Sequence, residues 1–355
     1  MPKKELTIVE IAKMAGVSTS TVSRVLNKQD HVNPAKRQKV QEILDRSGFQ
    51  PSATARAMVS KRTNTFGVVV SDINNPYFTT LVSQIEAAAK DAGYSLLLFN
   101  TQTAGGLQQS TITTVEIEAF HRLEEKKVDG VLILGGEIDR ADPDADYLDA
   151  LHQLAQHLPV VIVAQPLKDS GFNFVARYQK LAATTITQHL LACGYHDIAF
   201  IGGEPGITIT NERLAGYREI METYRTFRED RVFLSDYYAQ SGFDSMTELI
   251  NQNDLPKAVV AINDQVALGA IRALNDHGLN CPKDIAIASC DAFPNSTFFT
   301  PRITTIDHHN TRLAQIAVAK LLNAISPKRY PLGDLSIEPP SLLIRESSGL
   351  KGTKS

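Results

Sequence analysis

The chain has 355 residues, 43% hydrophobic and 21% charged, enough for two or three packed domains and unlike a disordered or fibrous composition. No apolar run approaches the ~20 residues of a membrane helix, and the N-terminus carries no apolar leader core, so a cytoplasmic protein with no membrane partner is expected. The net charge of −3 hides an asymmetry: residues 1–62 hold seven Lys and five Arg against three Glu and two Asp, a net +7, while the remainder carries −10.

A basic head on an acidic body fits a protein whose head alone meets a polyanion; a solvated basic face is the plainer alternative. In chain order, Thr7-Ile-Val-Glu10 is a capping box that opens a helix. Ile8, Ile11, Ala12 and Ala15 recur at helical spacing, and Gly16 stops it. Ser18 is a good N-cap for a second helix through Leu26. Helix, Gly-containing turn and helix within about twenty residues is the helix-turn-helix layout, whose second helix enters the major groove by its N-terminal end. That end is polar: Thr19, Ser20, Thr21, Ser23 and Arg24, with Val22, Val25 and Leu26 facing a core. Asn33-Pro34 opens a third helix, with Val40, Ile43 and Leu44 as its apolar stripe.

"TIVEIAKMAGVSTSTVSRVLN" followed by "VNPAKRQKVQEILDRSGFQPSATARAM" resembles the head of the LacI/GalR (lactose-repressor) family over its whole length. The resemblance implies that Thr19 and Ser20 read bases and that Arg24 is a further major-groove reader. Thr7, Ser18, Thr21, Ser23 and Asn27 complete the expected contact set on the head. Residues 50–60 are Ala-rich, with Ser52 as cap, and make only about two turns, too short for a helix stable alone in water. By resemblance this is the family's hinge helix, paired across a dimer in the minor groove, with Ala55, Arg56 and Met58 at the DNA. Met58 stands where the family carries a wedging Leu; it is apolar and more flexible. A plain linker is the alternative. A homodimer on a pseudo-palindromic operator is expected. The tail 347–355 has no leucine heptad, so the tetramer of some relatives is not expected.

Beyond Asn64, short apolar runs alternate with amphipathic stretches. The runs are Phe66–Val70, Ser95–Phe99, Gly130–Leu134, Val160–Ala164, Ile198–Ile201, Ala258–Ile262 and Ile285–Ala288. Alternating strand and helix predicts parallel sheets wrapped by helices, and the length suits two lobes. "GVVVSDINNPYF", "VDGVLILGG", "AVVAINDQVALGAI" and "FFTPRITTI" are similar to the effector-binding body of the same family, which is built like a periplasmic sugar-binding protein. The expected organisation is therefore an all-α helix-turn-helix head (1–49), a hinge and linker (50–63) and an α/β body of two doubly wound lobes (64–346). Lobe one is expected at about 65–164 and 293–322, and lobe two at about 165–292 and 323–346.

Open parallel sheets bind ligands at the carboxyl ends of their strands. There the sequence places Asp72, Asn74, Tyr77-Phe78, Asn263-Asp264 and Asp291, with Arg213 on a following helix. Carboxylate, amide and guanidinium groups beside an aromatic face suit a polyol. The resemblance maps the effector contacts onto Tyr77, Phe78, Arg213, Tyr237, Asn263 and Asp291, with Asp264 expected as a helix N-cap. The family's Asp-Asn pair near the start of lobe two is here Ala176-Arg177. Arg177 either meets an anionic ligand, a sugar phosphate or sugar acid, or points to solvent. Residues 103–114, rich in Gly, Thr, Gln and Ser, read as a flexible loop near the cleft mouth.

No metal or cofactor is expected. Cys193, Cys281 and Cys290 lack CxxC spacing and read as free core thiols. Asp142–Asp146 lacks the Gly and Glu of a calcium loop. His308-His309 reads as a surface or interface pair. Gly202-Gly203-Glu-Pro-Gly206 is not a dinucleotide fingerprint, and no nucleophile–base motif appears, so an enzyme is not expected. A transport binding protein would suit the body but not the basic head. The reading is a ligand-controlled transcriptional repressor of carbohydrate-utilisation genes. Its effector is a sugar or sugar derivative, and induction is the commoner outcome that the resemblance implies.

Overall fold

A computed structural model describes residues 6–26, 32–47, 62–104, 108–252, 254–330, 333 and 336–349. The chain divides into two compact units, Met1–Asn64 and Thr65–Ser355. Asn27 and the hinge positions Ser52, Ala55, Arg56 and Met58 lie outside the described residues.

In the first unit, α1 (Ile8–Ala15) opens on the expected capping box. The Glu10 amide donates to Thr7 Oγ1 at 3.2 Å, and the Thr7 amide donates to Glu10 Oε2 at 2.7 Å. Two orphan donors of the first turn are thereby satisfied. A left-handed Gly16 ends the helix. The second helix, α2 (Thr19–Leu26), is capped by Ser18, whose Oγ accepts from the Thr21 amide at 3.2 Å. Asn33 caps α3 (Pro34–Ser47) through Oδ1 and the Ala35 amide, 3.0 Å. Ile11, Ala12, Ala15, Val22, Val25, Val40 and Leu44 form the shared core. It is small, and the caps therefore matter to it.

The second unit holds two parallel sheets. β1 (Thr65–Val70), β2 (Ser95–Asn100), β3 (Gly130–Leu134), β4 (Val160–Val163) and β5 (Asn173–Phe174) form the first, in the order β2-β1-β3-β4-β5. β6 (Ile198–Ile201), β7 (Val232–Phe233), β8 (Ala258–Ala261) and β9 (Ala286–Ser289) form the second, in the order β7-β6-β8-β9. Strands covered on both faces read as unbroken apolar runs, and β3, β4, β6, β8 and β9 are buried throughout. The crossovers are helical: α4 (Pro76–Asp91), α5 (Gln109–Glu125), α6 (Ala145–His157), α7 (Gln179–Ala192), α8 (Thr208–Thr223), α9 (Ala239–Asn251) and α10 (Asp264–Asp276).

The return of the chain differs from the expected lobe boundaries. The first sheet reaches Phe174, past residue 164, because β5 pairs with β4. The segment after residue 293 does not go straight back to the first lobe. Ile303 and Ile306 bury in the core of the second sheet, and Thr304 bridges to Ala288. The chain then runs through β10 (Thr305–Asp307) to α11 (Asn310–Ile325), whose Leu313, Ala317 and Leu321 pack on the first sheet with α4. Finally β11 (Ser341–Leu343) returns to pair antiparallel with β10.

The expected loop at 103–114 is a second difference. Residues 109–114 are the first turns of α5, whose Ile112, Glu116, Ala119 and Leu123 face inward at helical spacing. A polar first turn and an acid on the buried face mask that periodicity in the sequence.

Candidate functional site

Two surfaces carry the functional groups, one in each unit. In the head, Ser18, Thr19, Ser20 and Arg24 are exposed at and along α2, as is Thr7 before α1; Thr21 and Ser23 are partly buried. Ser18 does more than cap. Its hydroxyl lies 2.8 Å from Ser20 Oγ and 2.9 Å from Thr21 Oγ1. One cap thus orients two neighbouring hydroxyls at the helix N-terminus, where backbone N–H groups and the helix dipole favour a phosphate.

In the body, a cavity lies where strands of both sheets end. It encloses about 780 Å³ of empty space, open mouth included. From the first lobe, Tyr77 and Phe78 enter on the first turn of α4, with ring centroids 4.9 Å apart. Asn75 caps that helix by accepting from the Tyr77 amide at 3.0 Å. Also from the first lobe, β3 runs through Gly135-Gly136 into a short 3-10 turn, Glu137–Asp139, whose Asp139 lines the cavity.

The second lobe supplies Asp291, just past β9, and Arg213, on α8. Arg177 comes from the segment after β5. Asp291 Oδ2 accepts from Arg177 Nη1 at 2.9 Å and Arg213 Nη2 at 2.8 Å. All three side chains are buried. Arg213 is held further by Gln179 Oε1 (2.9 Å) and the Ile262 carbonyl. The Arg177 guanidinium also lies over the Tyr77 ring, 4.3 Å from its centroid, close enough for a cation–π contact. Arg177 therefore does not point to solvent; that alternative is corrected by the pairing with Asp291.

The electrostatics follow. Burial opposes ionisation of Asp291, but Arg177 and Arg213 overcome it and hold the carboxyl below its ordinary range. Burial pushes Asp139 up to about 7, against the opposing pull of Arg177. Burial likewise raises Glu116 to about 8, although the Thr103 hydroxyl (2.9 Å) and the Glu137 amide (3.2 Å) both donate to it. His308 is buried beneath Asp291, its Nε2 2.9 Å from the Cys290 carbonyl, and burial pushes it down to about 3. Expected at the surface or an interface, His308 is instead a neutral core group. Its neighbour His309 is the partly buried residue before α11.

Other expectations shift in detail. Asn263, not Asp264, caps α10: its Oδ1 accepts from the Val266 amide at 2.9 Å, while Nδ2 donates to the Tyr237 carbonyl at 3.0 Å. Asp264 is fully buried and braces the turn after β9, accepting from the Ser289 hydroxyl and the Phe293 amide. Tyr237 lines the cavity with its hydroxyl 2.6 Å from Thr210 Oγ1. Its neighbour Tyr238 spans the cleft, donating to the Asp72 carboxylate, and the Ala141 amide reaches the Gly206 carbonyl at 2.8 Å. The cavity thus gathers Tyr77, Phe78, Arg177, Arg213, Tyr237, Asn263 and Asp291. Asp139, Glu204 and Tyr238 also line it and were not anticipated. The strand-end rule would have found Asp139 had it been applied after β3. Among the described residues, no His/Cys/Asp/Glu cluster suits a metal ion, and no helix is long and apolar enough to cross a membrane.

Comparison with known proteins gives a consistent pattern. Residues 7–52 match the bacterial regulatory proteins of the lacI family, and residues 187–348 match a periplasmic binding protein-like domain. The chain is 32% identical over 343 residues to the HTH-type transcriptional repressor PurR of Actinobacillus pleuropneumoniae serotype 3 (strain JL03), covering 96% of this chain and 98% of the relative. It is also 32% identical over 347 residues to PurR of Haemophilus influenzae (strain PittEE), with the same coverage. Among solved structures it resembles the lac repressor dimer bound to operator and the anti-inducer ONPF, with a TM-score of 0.81 at 26% identity over 97% of this chain and 99% of that one. A transcriptional regulator CelR–cellobiose complex matches with a TM-score of 0.64 at 26% identity, over 97% and 100%.

Proposed function

The chain belongs to the lacI family of bacterial regulatory proteins and is a DNA-binding transcriptional regulator, and from that premise we propose that it is an effector-switched repressor. Two copies bind a pseudo-palindromic operator through α2, with Thr19 and Ser20 at the base edges and Arg24 beside them. Ser18, Thr21 and Ser23 serve phosphates and helix geometry, and Thr7 and Asn27 flank them. The head is residues 1–49, the hinge 50–63, and the body 64–346. Hinge contacts from Ser52, Ala55, Arg56 and Met58 fall outside the described residues and rest on the sequence alone.

The effector occupies the interlobe cavity of the body, against Tyr77, Phe78, Arg177, Arg213, Tyr237, Asn263 and Asp291. The observation that carries this reading is Asp291 itself. It is 3% exposed, one oxygen is shared by two guanidiniums, and its Oδ1 has no hydrogen-bond partner among the described residues. A buried acceptor left unmade costs about 1–3 kcal/mol, a cost that a ligand donor in the cavity removes. Relatives with different names share this fold, so the fold alone does not identify the effector. The regulated genes are proposed to serve carbohydrate utilisation because aromatic, carboxylate and guanidinium groups converge as a polyol requires.

Asp291→Asn tests the site. Operator affinity without effector stays within about twofold, while the effector-induced change in affinity falls at least tenfold. Fluorescence anisotropy on a labelled palindromic site reads both. A variant that responds to effector like the parent would remove Asp291 from the site.

A further inference from the structure

The two buried guanidiniums at the cavity wall are held unequally. Arg213 directs Nε, Nη1 and Nη2 to Gln179, Ile262 and Asp291, so the protein holds it on every nitrogen. Arg177 spends only Nη1, on Asp291 and at 3.4 Å on Asn310. Its Nε and Nη2 make no hydrogen bond among the described residues. Two buried guanidiniums thus share one carboxylate oxygen, while the other buried carboxyl at the wall, Asp139, makes no hydrogen bond to either among the described residues, burial pushing it up to about 7. Arg140, also at the cavity wall, is already matched by Glu137 at 3.0 Å. Glu204 is only half-buried, near Arg140, and does not reach the pair. His308 is held uncharged. Nε and Nη2 of Arg177 are therefore the donors left for a ligand, and an anion accepts from them with charge assistance.

Two acceptors at the same wall lack donors. Asp139 Oδ1 and Asp291 Oδ1 are buried without a hydrogen-bond partner among the described residues, on residues 7% and 3% exposed. Both line the cavity. They require O–H or N–H groups from whatever fills it. Tyr77, stacked under Arg177, supplies an apolar face for a carbon skeleton.

Resting on the effector-site reading above, we propose that the effector is a small polyhydroxylated anion, its acidic group seated on Arg177 and its hydroxyls donating to Asp139 and Asp291. A sugar acid and a sugar phosphate share that chemistry. Arg177 is then the residue that separates them from neutral sugars, because an anion placed on it gains a charge-assisted hydrogen bond and a neutral hydroxyl does not.

The test is isothermal calorimetry on the full-length chain with four probes: D-glucose, D-sorbitol, D-gluconate and D-glucose 6-phosphate. Arg177→Gln, Arg177→Lys and Asp291→Asn are measured beside the parent, with thermal melts to establish folding. At least one anionic probe is expected to bind ten-fold or more tightly than either neutral one. Arg177→Gln should lose that advantage and Arg177→Lys should recover part of it. Preference for gluconate or for the phosphate then identifies the acidic group. A neutral probe that binds best and is lost in Asp291→Asn overturns the anion proposal and leaves the cavity as the effector site. Binding unaffected by Asp291→Asn overturns the site reading itself. If neither anionic probe binds in an Arg177-dependent way, the proposal is also overturned.

Discussion

Three buried carboxyl groups in the body behave in opposite ways, and the difference is one of partners. Among the described residues no guanidinium is bonded to Glu116 or Asp139, and burial raises them to about 8 and about 7. Asp291 has two, and is held low. In the unfolded chain Glu116 loses its proton near 4.5, whereas the folded chain keeps it until about 8. Over that window the folded state binds more protons, so this group's contribution to stability is lost as pH rises toward 8. Asp139 acts with the same sign up to about 7, facing Glu116, Glu137, Tyr77, Tyr147, Tyr237 and Arg177. Asp291 acts oppositely: its contribution is lost as pH falls below its ordinary 3.8. Thermal melts from pH 5.5 to 8.5 should therefore show stability falling with pH, at up to ~1.4 kcal/mol per unit for each such group. Glu116→Gln should flatten that slope, since an amide does not titrate. An unchanged slope in the variant would show that Glu116 is already ionised in the fold.

At the scale of elements, close backbone packing sets the geometry of the second lobe. Gly269 on α10 faces the Ala239 carbonyl oxygen at the start of α9, and a Cβ added at Gly269 would overlap it. Neither backbone can yield cheaply, because α10 carries Asn263 and Asp264 at its N-terminal end beside the cavity. Gly269→Ala should destabilise the body by about 3 kcal/mol or more, read as a lowered midpoint in urea with the head intact. A midpoint unchanged within error would mean that the helices separate freely there. In the head, Ser18→Ala removes the cap of α2 and the hydroxyl that orients Ser20 and Thr21. It should cost ~1 kcal/mol of stability and weaken operator binding, as measured by anisotropy. A loss of stability with operator affinity intact would confine Ser18 to the cap.

Over the whole molecule, the sequence made some elements plain and concealed others, for identifiable reasons. Head helices were legible because Thr7, Glu10, Gly16, Ser18 and Asn33 are local signals that need no tertiary context. The runs at β1, β3, β4, β6, β8 and β9 were legible because burial on both faces leaves them continuously apolar. β5 and β7 have two residues each, too few for any period to register. The orientation of Arg177 depends on β5 joining the first sheet, so only the fold could decide between cleft and solvent. His308 read as a surface or interface pair with His309, yet the entry into α11 buries His308 and leaves His309 only partly buried. Charge asymmetry is a whole-chain signal that needs no structure: a head of +7 on a body of −10 fits a head that meets a polyanion, but a solvated basic face would look the same, and the long motif match in the head decides between them. A useful switch between the two needs a coupling free energy of ~1–3 kcal/mol, about 5- to 150-fold in affinity.

That coupling is the central claim, and the most direct test is operator binding by fluorescence anisotropy at fixed salt, with and without a ligand shown by calorimetry to occupy the cavity. The expected result is a change in operator affinity of five-fold or more, lost in Asp291→Asn, and its direction distinguishes an inducer from a corepressor. A ligand that fills the cavity and leaves operator affinity unchanged would contradict the account.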